Sequence, residues 1–311
     1  MSANHNNHLT APAVDHEELK RVQDCGFRIL LEFDRVAREL GIQYFLIYGT
    51  LLGARRHGGF IPWDDDIDVG VPRPDYERLL ASGHLFRAPY LLESYTRDGS
   101  YVVPIAKVFD TGTTVIEDDQ AYMKRGVWID IFPIDGTFES SRGRNLHFAA
   151  AKALHDLFRY RTRSLRARDF LGKRFGPFKA AAYGVASLFP VHAVYRMFQS
   201  VCKLVPLRKA RYAGVFFFTY GQREFMPREV FFGDGGGGSR NELEFNGVRF
   251  PVPADVHAYL HRIYGDYMKL PPLEKRVPHP VLYRNLGESY LTHIPPGFEE
   301  KGRVLRAGTE S

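Results

Sequence analysis

Cysteine is scarce in this chain: two in 311 residues, Cys25 and Cys202. That excludes a disulfide framework and a cysteine-based zinc site, and it fits a reducing compartment. Long hydrophobic runs are also missing. The nearest candidate, Phe178 to Val205, is interrupted by Pro190, His192, Arg196 and Lys203. It reads as buried or interfacial helices, because a membrane span needs about 20 consecutive apolar residues. Met1 to Val14 is polar, with no apolar signal core, so the expectation is a cytoplasmic chain with a disordered tail over 1–14. Acidic excess and internal repeats are absent too. The formal net charge is +6 and the pI about 9.2, which calls for an anionic partner such as a nucleotide, a phosphorylated glycan, nucleic acid or a membrane surface.

What is present suits a globular chain long enough to bury a sizeable core. Val22, Cys25, Ile29, Phe33, Val36 and Leu40 recur at three- and four-residue steps after a capping-box start at Asp15, and Gly41 closes the helix. Tyr44–Tyr48 reads as a strand, Leu51–His57 as a brief helix, Ile67–Val71 as a strand and Asp75–Leu80 as a helix. Tyr90–Tyr95, Val102–Phe109, Thr113–Glu117 and Val127–Phe132 read as further strands, with Asp110-Thr111-Gly112 as a hairpin turn. The first half is therefore α/β with a mixed sheet. The second half begins with a helix over Asn145–Phe158 and continues into a basic run from Arg159 to Arg174, a solvated face or else a segment for a membrane surface or an anionic acceptor. Gly233–Gly238 is a surface loop, Phe245–Pro253 a hairpin, and Val256–Tyr264 a helix ended by Gly265. From Pro271 an extended tail is expected. The resulting division is a core over 15–140, a basic and apolar helical region over 141–232, a C-terminal segment over 239–295 that packs on the core, and a tail over 296–311.

The most informative residues are Asp64-Asp65-Asp66-Ile67-Asp68. On an extended chain Asp64, Asp66 and Asp68 point the same way, and converging carboxylates persist mainly around a cation. A solvated acidic turn is the plainer reading, but Ile61-Pro62-Trp63 and Ile67, Val69 and Val71 bracket the run with core residues. A calcium loop fits poorly, since Val69 stands where glycine is needed and Asp75 where glutamate is needed. Upstream, Gly49-Thr50 opens a helix after a strand and offers N–H groups to a phosphate. A phosphate cradle beside an Asp-x-Asp strand points to a nucleotidyltransferase-like fold and metal-assisted phosphoryl transfer. Such a site needs a third carboxylate. Asp130, between Ile129 and Ile131 and on one strand face with Trp128 and Phe132, is the candidate; a buried Asp satisfied by backbone N–H groups is the alternative. Asp135, before Gly136, reads as a turn former. Arg55, Arg56 and His57 either contact phosphate or sit exposed on their short helix. Lys107 either reaches the nucleotide or snorkels at a sheet edge.

Three blocks resemble the LicD/fukutin family: Tyr48 to Gly58 with Ile61 to Asp68, Trp128 to Asp135, and Tyr264-Gly265-Asp266-Tyr267-Met268 with Leu270-Pro271-Pro272, Lys275-Arg276 and His279. The resemblance spans roughly residues 20 to 280, although about 140 to 230 carries no matching block. It implies a nucleotidyltransferase-like core and transfer of a phospho-alcohol, phosphocholine foremost, from a CDP-activated donor to a glycan or lipid-linked glycan hydroxyl. It implies Mg²⁺ or Mn²⁺ on Asp64, Asp66, Asp68 and Asp130, with Asp66, Asp68 and Asp130 catalytic. Gly49 and Thr50 match the family's phosphate turn, and Arg56, His57 and Lys107 are further substrate-binding candidates. The expected partners are the donor and acceptor, with peripheral contact at the inner face of the cytoplasmic membrane and no nucleic acid. Two alternatives remain open: transfer of the nucleoside monophosphate itself, and a non-catalytic metal-binding module of a glycan-assembly complex.

Overall fold

The computed structural model describes residues 16–98, 101–117, 124–162, 184, 189–234, 239 and 241–295. The tails, most of the arginine run and Gly235–Gly238 lie outside the described residues.

Helix α1 (His16–Leu40) buries Leu19, Val22, Cys25, Ile29, Leu30, Phe33 and Val36 on one stripe. Fully burying an apolar side chain of this size contributes roughly 1.5–3 kcal/mol, so this stripe fastens the helix to the sheet. It stops where Gly41 turns left-handed (φ 59°). There the Ile42 N–H bonds the Ala37 carbonyl and the Gly41 N–H bonds the Arg38 carbonyl.

The chain then enters a seven-stranded mixed sheet. Its path runs β1 (Phe45–Leu46), β2 (Asp68–Pro72), β7 (Trp128–Thr137), β4 (Ala106–Asp110) and β3 (Tyr90–Glu93). Two more strands, β8 (Tyr212–Val215) and β9 (Met226–Pro227), extend from the far end of β7. The α/β expectation with a mixed sheet holds: β2 and β7 are parallel, while the other pairs are antiparallel. Every residue of β2 and β4 is buried, so helices cover both faces. Helix α1 packs on β4 and β7, and α3 (Arg73–Ala81) packs on β2 and β7.

Several local readings change. The strand over 44–48 shortens to β1, because α2 (Tyr48–His57) already begins at Tyr48, which takes a left-handed φ of 46°. Asp110-Thr111-Gly112 does turn the chain, with the Gly112 N–H bonded to the Asp110 Oδ1, but it makes no hairpin. The next strand, β5 (Thr114–Ile116), leaves for a second sheet between β6 (Lys124–Arg125) and β12 (Tyr283–Asn285). The segment after Pro271, expected to be extended, returns to the molecule as β12.

Asp135 is no turn former either. It lies inside β7, buried, and its two oxygens accept from Arg73 Nε (2.7 Å) and Nη2 (2.5 Å). The Arg73 charge and hydrogen bonds offset the cost of burying that carboxylate.

In the second half, α4 (Ser141–Thr162) packs on α5 (Val191–Cys202), and Phe158, Val194 and Tyr195 form a small core between them. A short α6 (Glu229–Phe232) follows. The hairpin β10 (Glu242–Phe245)–β11 (Val248–Pro251) packs on α2, and α7 (Val256–Tyr264) closes that side. Gly53 permits the close return of the loop after α2, since a Cβ there would lie 2.4 Å from the Gly59 carbonyl oxygen. No helix among the described residues is long and apolar enough to cross a membrane.

Candidate active site

Three elements converge on one cavity of about 710 Å³, within the roughly 300–1,000 Å³ usual for small-molecule sites. The first is the loop carrying the acidic run. Only Asp68 belongs to β2; residues 64–67 are irregular. Its backbone is tied from several directions. Gln23 Nε2 of α1 donates to the Asp64 carbonyl (2.8 Å), the Asp64 N–H bonds the Ile61 carbonyl (2.9 Å), and the Asp130 N–H bonds the Ile67 carbonyl (2.8 Å). Side chains still alternate as expected: Asp64, Asp66 and Asp68 line the cavity, while Asp65 does not. Asp65 Oδ2 instead accepts from Arg284 Nη2 (2.9 Å), and its Oδ1 accepts from the backbone N–H of His279 (3.1 Å).

The second element is β7. Parallel pairing sets Asp130 directly beside Asp68, so the third carboxylate joins the same wall. Its Oδ2 accepts from the Trp128 indole N–H (3.0 Å), and its Oδ1 lies 3.1 Å from Lys107 Nζ. Lys107 is not an edge residue. It sits in central strand β4, 5% exposed, with its ammonium 4.2 Å from the Trp128 ring centre. Burial alone would pull its pKa down, but the charges of Asp130 and Glu117 outweigh that and raise it. Lys107 therefore acts on the cavity through Asp130 and is not among the lining residues.

The third element is the N-terminus of α2, where Tyr48 and Gly49 line the cavity. First-turn N–H groups of a helix lack intrahelical partners and favour anions. A Cβ at position 49 would lie 2.7 Å from Asp64 Oδ2, so a larger residue there would have to displace that carboxylate. Thr50 is buried and its Oγ1 accepts from the Asp68 N–H (2.8 Å), so its side chain fixes the acidic strand. Arg56 reaches the cavity and donates through Nη1 to the Tyr267 carbonyl (2.8 Å). His57 is exposed and outside the lining, accepting from Arg56 Nε through its Nε2 (3.0 Å). Arg55 is exposed as well.

His279 was visible in the sequence only as part of a motif block. Its ring lies 3.0 Å from Asp65 Oδ1 and 3.7 Å from Asp66 Oδ2, and the hydrogen bond to Asp65 pushes its pKa up to about 9. One ligand atom each from Asp64, Asp66 and His279 lie within 4.8 Å of one another. Asp68 and Asp130 belong to the same cavity wall but not to that tight group. Asp66 and Asp68 are held well above the ordinary carboxylate range, first by burial and then by neighbouring carboxylates. Burial raises Asp64 as well. Like charges so placed call for a counter-cation. Hard carboxylate oxygens suit Mg²⁺ or Mn²⁺, and Asp130 Oδ1, although ion-paired with Lys107 at 3.1 Å, accepts no hydrogen bond. The residues fit such an ion.

Carboxylates converge beside a helix N-terminus, with Arg56, Lys269, Lys275 and His279 around the same cavity, so cation-attracting and anion-attracting groups face one another there. The sequence profile of the "LicD/FKTN/FKRP, nucleotidyltransferase domain" matches residues 41–174. The chain is 30% identical over 284 residues to the lipopolysaccharide cholinephosphotransferase LicD of Haemophilus influenzae, covering 84% of this chain and 95% of that protein. The chain belongs to the LicD family. It is also 44% identical over 64 residues to the human ribitol 5-phosphate transferase FKRP, a match covering 19% of this chain and 13% of that protein. An uncharacterized protein of Rickettsia prowazekii, RP689, is 39% identical over 65 residues, 19% of this chain and 24% of that protein.

Proposed function

We propose that this chain is a phosphotransferase acting on glycans, and that it moves a phospho-alcohol, phosphocholine foremost, from a CDP-activated donor to a cell-surface glycan hydroxyl. The observation that carries the reading is the meeting of Asp64, Asp66, Asp68 and Asp130 with the first turn of α2 around one cavity. Family membership supports the reaction class, and the H. influenzae relative acts, by its name, on lipopolysaccharide with a cholinephosphate group.

Asp66 and Asp68, with Asp64 and Asp130, would hold Mg²⁺ or Mn²⁺. When bound, that ion supplies neutralisation of the donor's diphosphate charge. The chain's own groups do the rest. The N–H groups at Gly49 and Thr50 bind phosphate oxygen, and Arg56 adds a fixed positive charge. The acceptor hydroxyl oxygen bonds to the phosphorus bearing the alcohol, the bond from that phosphorus to the bridging oxygen breaks, and CMP leaves with the bond pair. We assign the hydroxyl's proton to Asp130, whose carboxylate is oriented by Trp128 and Lys107. The acceptor is a glycan or lipid-linked glycan met at the inner face of the cytoplasmic membrane, and the chain's basic charge supports peripheral contact there.

The test is a screen of CDP-choline, CDP-ribitol, CDP-glycerol and CDP-ethanolamine for Mg²⁺-dependent CMP release. Release with at least one donor, abolished in Asp66→Ala and Asp68→Ala, is expected. Turnover retained in either variant would refute the assignment. Labelled CMP on the glycan, in place of labelled phospho-alcohol, would identify a nucleotidyltransferase instead.

A further inference from the structure

Beside the acidic wall the cavity has an aromatic one. Phe217, Phe132, Tyr48, Tyr220 and Tyr264 all line it. They form an unbroken chain of ring contacts, with centroids 5.1 Å apart for Phe217–Phe132, 5.5 Å for Phe132–Tyr48, 5.2 Å for Tyr48–Tyr220 and 5.3 Å for Tyr220–Tyr264. Such a cluster could be ordinary core. Three observations argue that it is a binding surface.

First, cation–π pairs elsewhere in the molecule use Tyr76, Trp128, Tyr290, Tyr212, Phe218, Phe232 and Trp63, and none among the described residues uses these five rings. Second, a carboxylate stands behind them. Glu224 is 2% exposed, and its Oε1 accepts from the Tyr220 N–H (2.9 Å). Glu224 takes part in no ion pair among the described residues, and burial delays its ionisation to about 7; once ionised, its negative charge adds to the rings' own negative faces. Third, the loop that supplies Phe217 and Tyr220 contains Phe218 at φ 73°. A left-handed bulky residue costs about 1–2 kcal/mol, and such strain persists mainly where function requires it.

Asp130 and Phe132 are two residues apart on one face of β7, so the acidic and aromatic walls are separated by about 7 Å. An acid-backed aromatic box at that distance fits a cation tethered to a phosphate by a short linker. In phosphocholine three atoms separate the trimethylammonium nitrogen from phosphorus.

We propose that Phe217, Phe132, Tyr48, Tyr220 and Tyr264, backed by Glu224, form a quaternary-ammonium box that selects the transferred alcohol. This rests on the donor reading above and names the residues that decide among donors. Rings recognise a cation through their quadrupole, so a charged trimethylammonium is preferred over a neutral group of the same shape.

The experiment is calorimetric titration of the full chain, with Mg²⁺, using phosphocholine, its uncharged isostere 3,3-dimethylbutyl phosphate, and CMP. The intact chain is expected to prefer phosphocholine over the isostere by roughly 5- to 30-fold. Phe217→Leu keeps apolar bulk without the π face, and Glu224→Gln removes the charge behind the box. Each should shrink that preference at least about threefold while CMP affinity stays unchanged. Melting curves would confirm that both variants fold, and Tyr264→Leu serves as the replacement for either that does not. Equal affinity for the two phosphates in the intact chain overturns the proposal. So does a parallel loss of CMP affinity in Phe217→Leu, which would mean that the rings stack on cytosine. CMP release from CDP-ribitol or CDP-glycerol without any preference for phosphocholine would sink the box and leave the transferase reading standing. A clear preference with no CMP release from any donor would do the reverse.

Discussion

Replacing Thr50 with Val tests how the acidic strand is held. Thr50 is 3% exposed, and its Oγ1 is the acceptor for the Asp68 N–H at 2.8 Å. Valine keeps the branched shape but offers no acceptor for the buried N–H. A buried donor left unsatisfied costs about 1–3 kcal/mol. Thr50→Ser retains the hydroxyl and loses one methyl, at about 0.8 kcal/mol. The expected order of stability in urea unfolding is therefore intact chain, then Thr50→Ser, then Thr50→Val. Catalysis should follow a steeper version of the same order, because Asp68 can relieve its unpaired N–H only by shifting the carboxylate strand. A Thr50→Val chain as stable as Thr50→Ser, with CMP release intact, would refute the idea that this hydroxyl positions Asp68.

Gly49→Ala would place a Cβ 2.7 Å from Asp64 Oδ2; CMP release should fall at least about tenfold while the melting temperature changes little, since alanine is the better helix former. Arg73→Ala leaves Asp135 buried and uncompensated and should cost about 3–5 kcal/mol in denaturant unfolding, whereas the double change Arg73→Met with Asp135→Leu should recover most of that loss. Burial raises Glu224 from 4.5 to about 7, so the folded chain keeps a proton that the unfolded chain has lost across that window. Stability should consequently be greatest below pH 4.5 with respect to this group, fall as pH rises through 4.5 to 7, and level off above. Glu224→Gln should flatten that slope in melting curves taken at a series of pH values, and an unchanged slope would remove Glu224 as its cause.

The parts of this site that could be read from the sequence are those encoded locally. Alternation along Asp64 to Asp68 identified the inward carboxylates even though only Asp68 lies in a regular strand, because any extended backbone alternates its side chains. Asp130 could be singled out because a charge between two isoleucines in an apolar strand demands a partner. Partners distant along the chain were hidden. His279 and Arg284 meet Asp65 across 214 and 219 residues, and Gln23 ties down Asp64 across 41. Asp135 before Gly136 has the local chemistry of a turn; only Arg73, 62 residues away, shows why it stays in a strand. Asp110-Thr111-Gly112 likewise turns as its side chains dictate, but the pairing of β5 is decided by β12 near the other end of the chain. Lys107 reads like an edge residue until β3 and β7 are seen to flank its strand.

The central claim is that these aspartates gather a divalent cation. Electron paramagnetic resonance of the full chain titrated with Mn²⁺ tests it without any donor or acceptor. The expected result is saturable binding, displaced by Mg²⁺ and lost when Asp66 and Asp68 are both replaced by Asn in a chain that still melts cooperatively. Binding unchanged in that variant, or no binding to the intact chain, would contradict it.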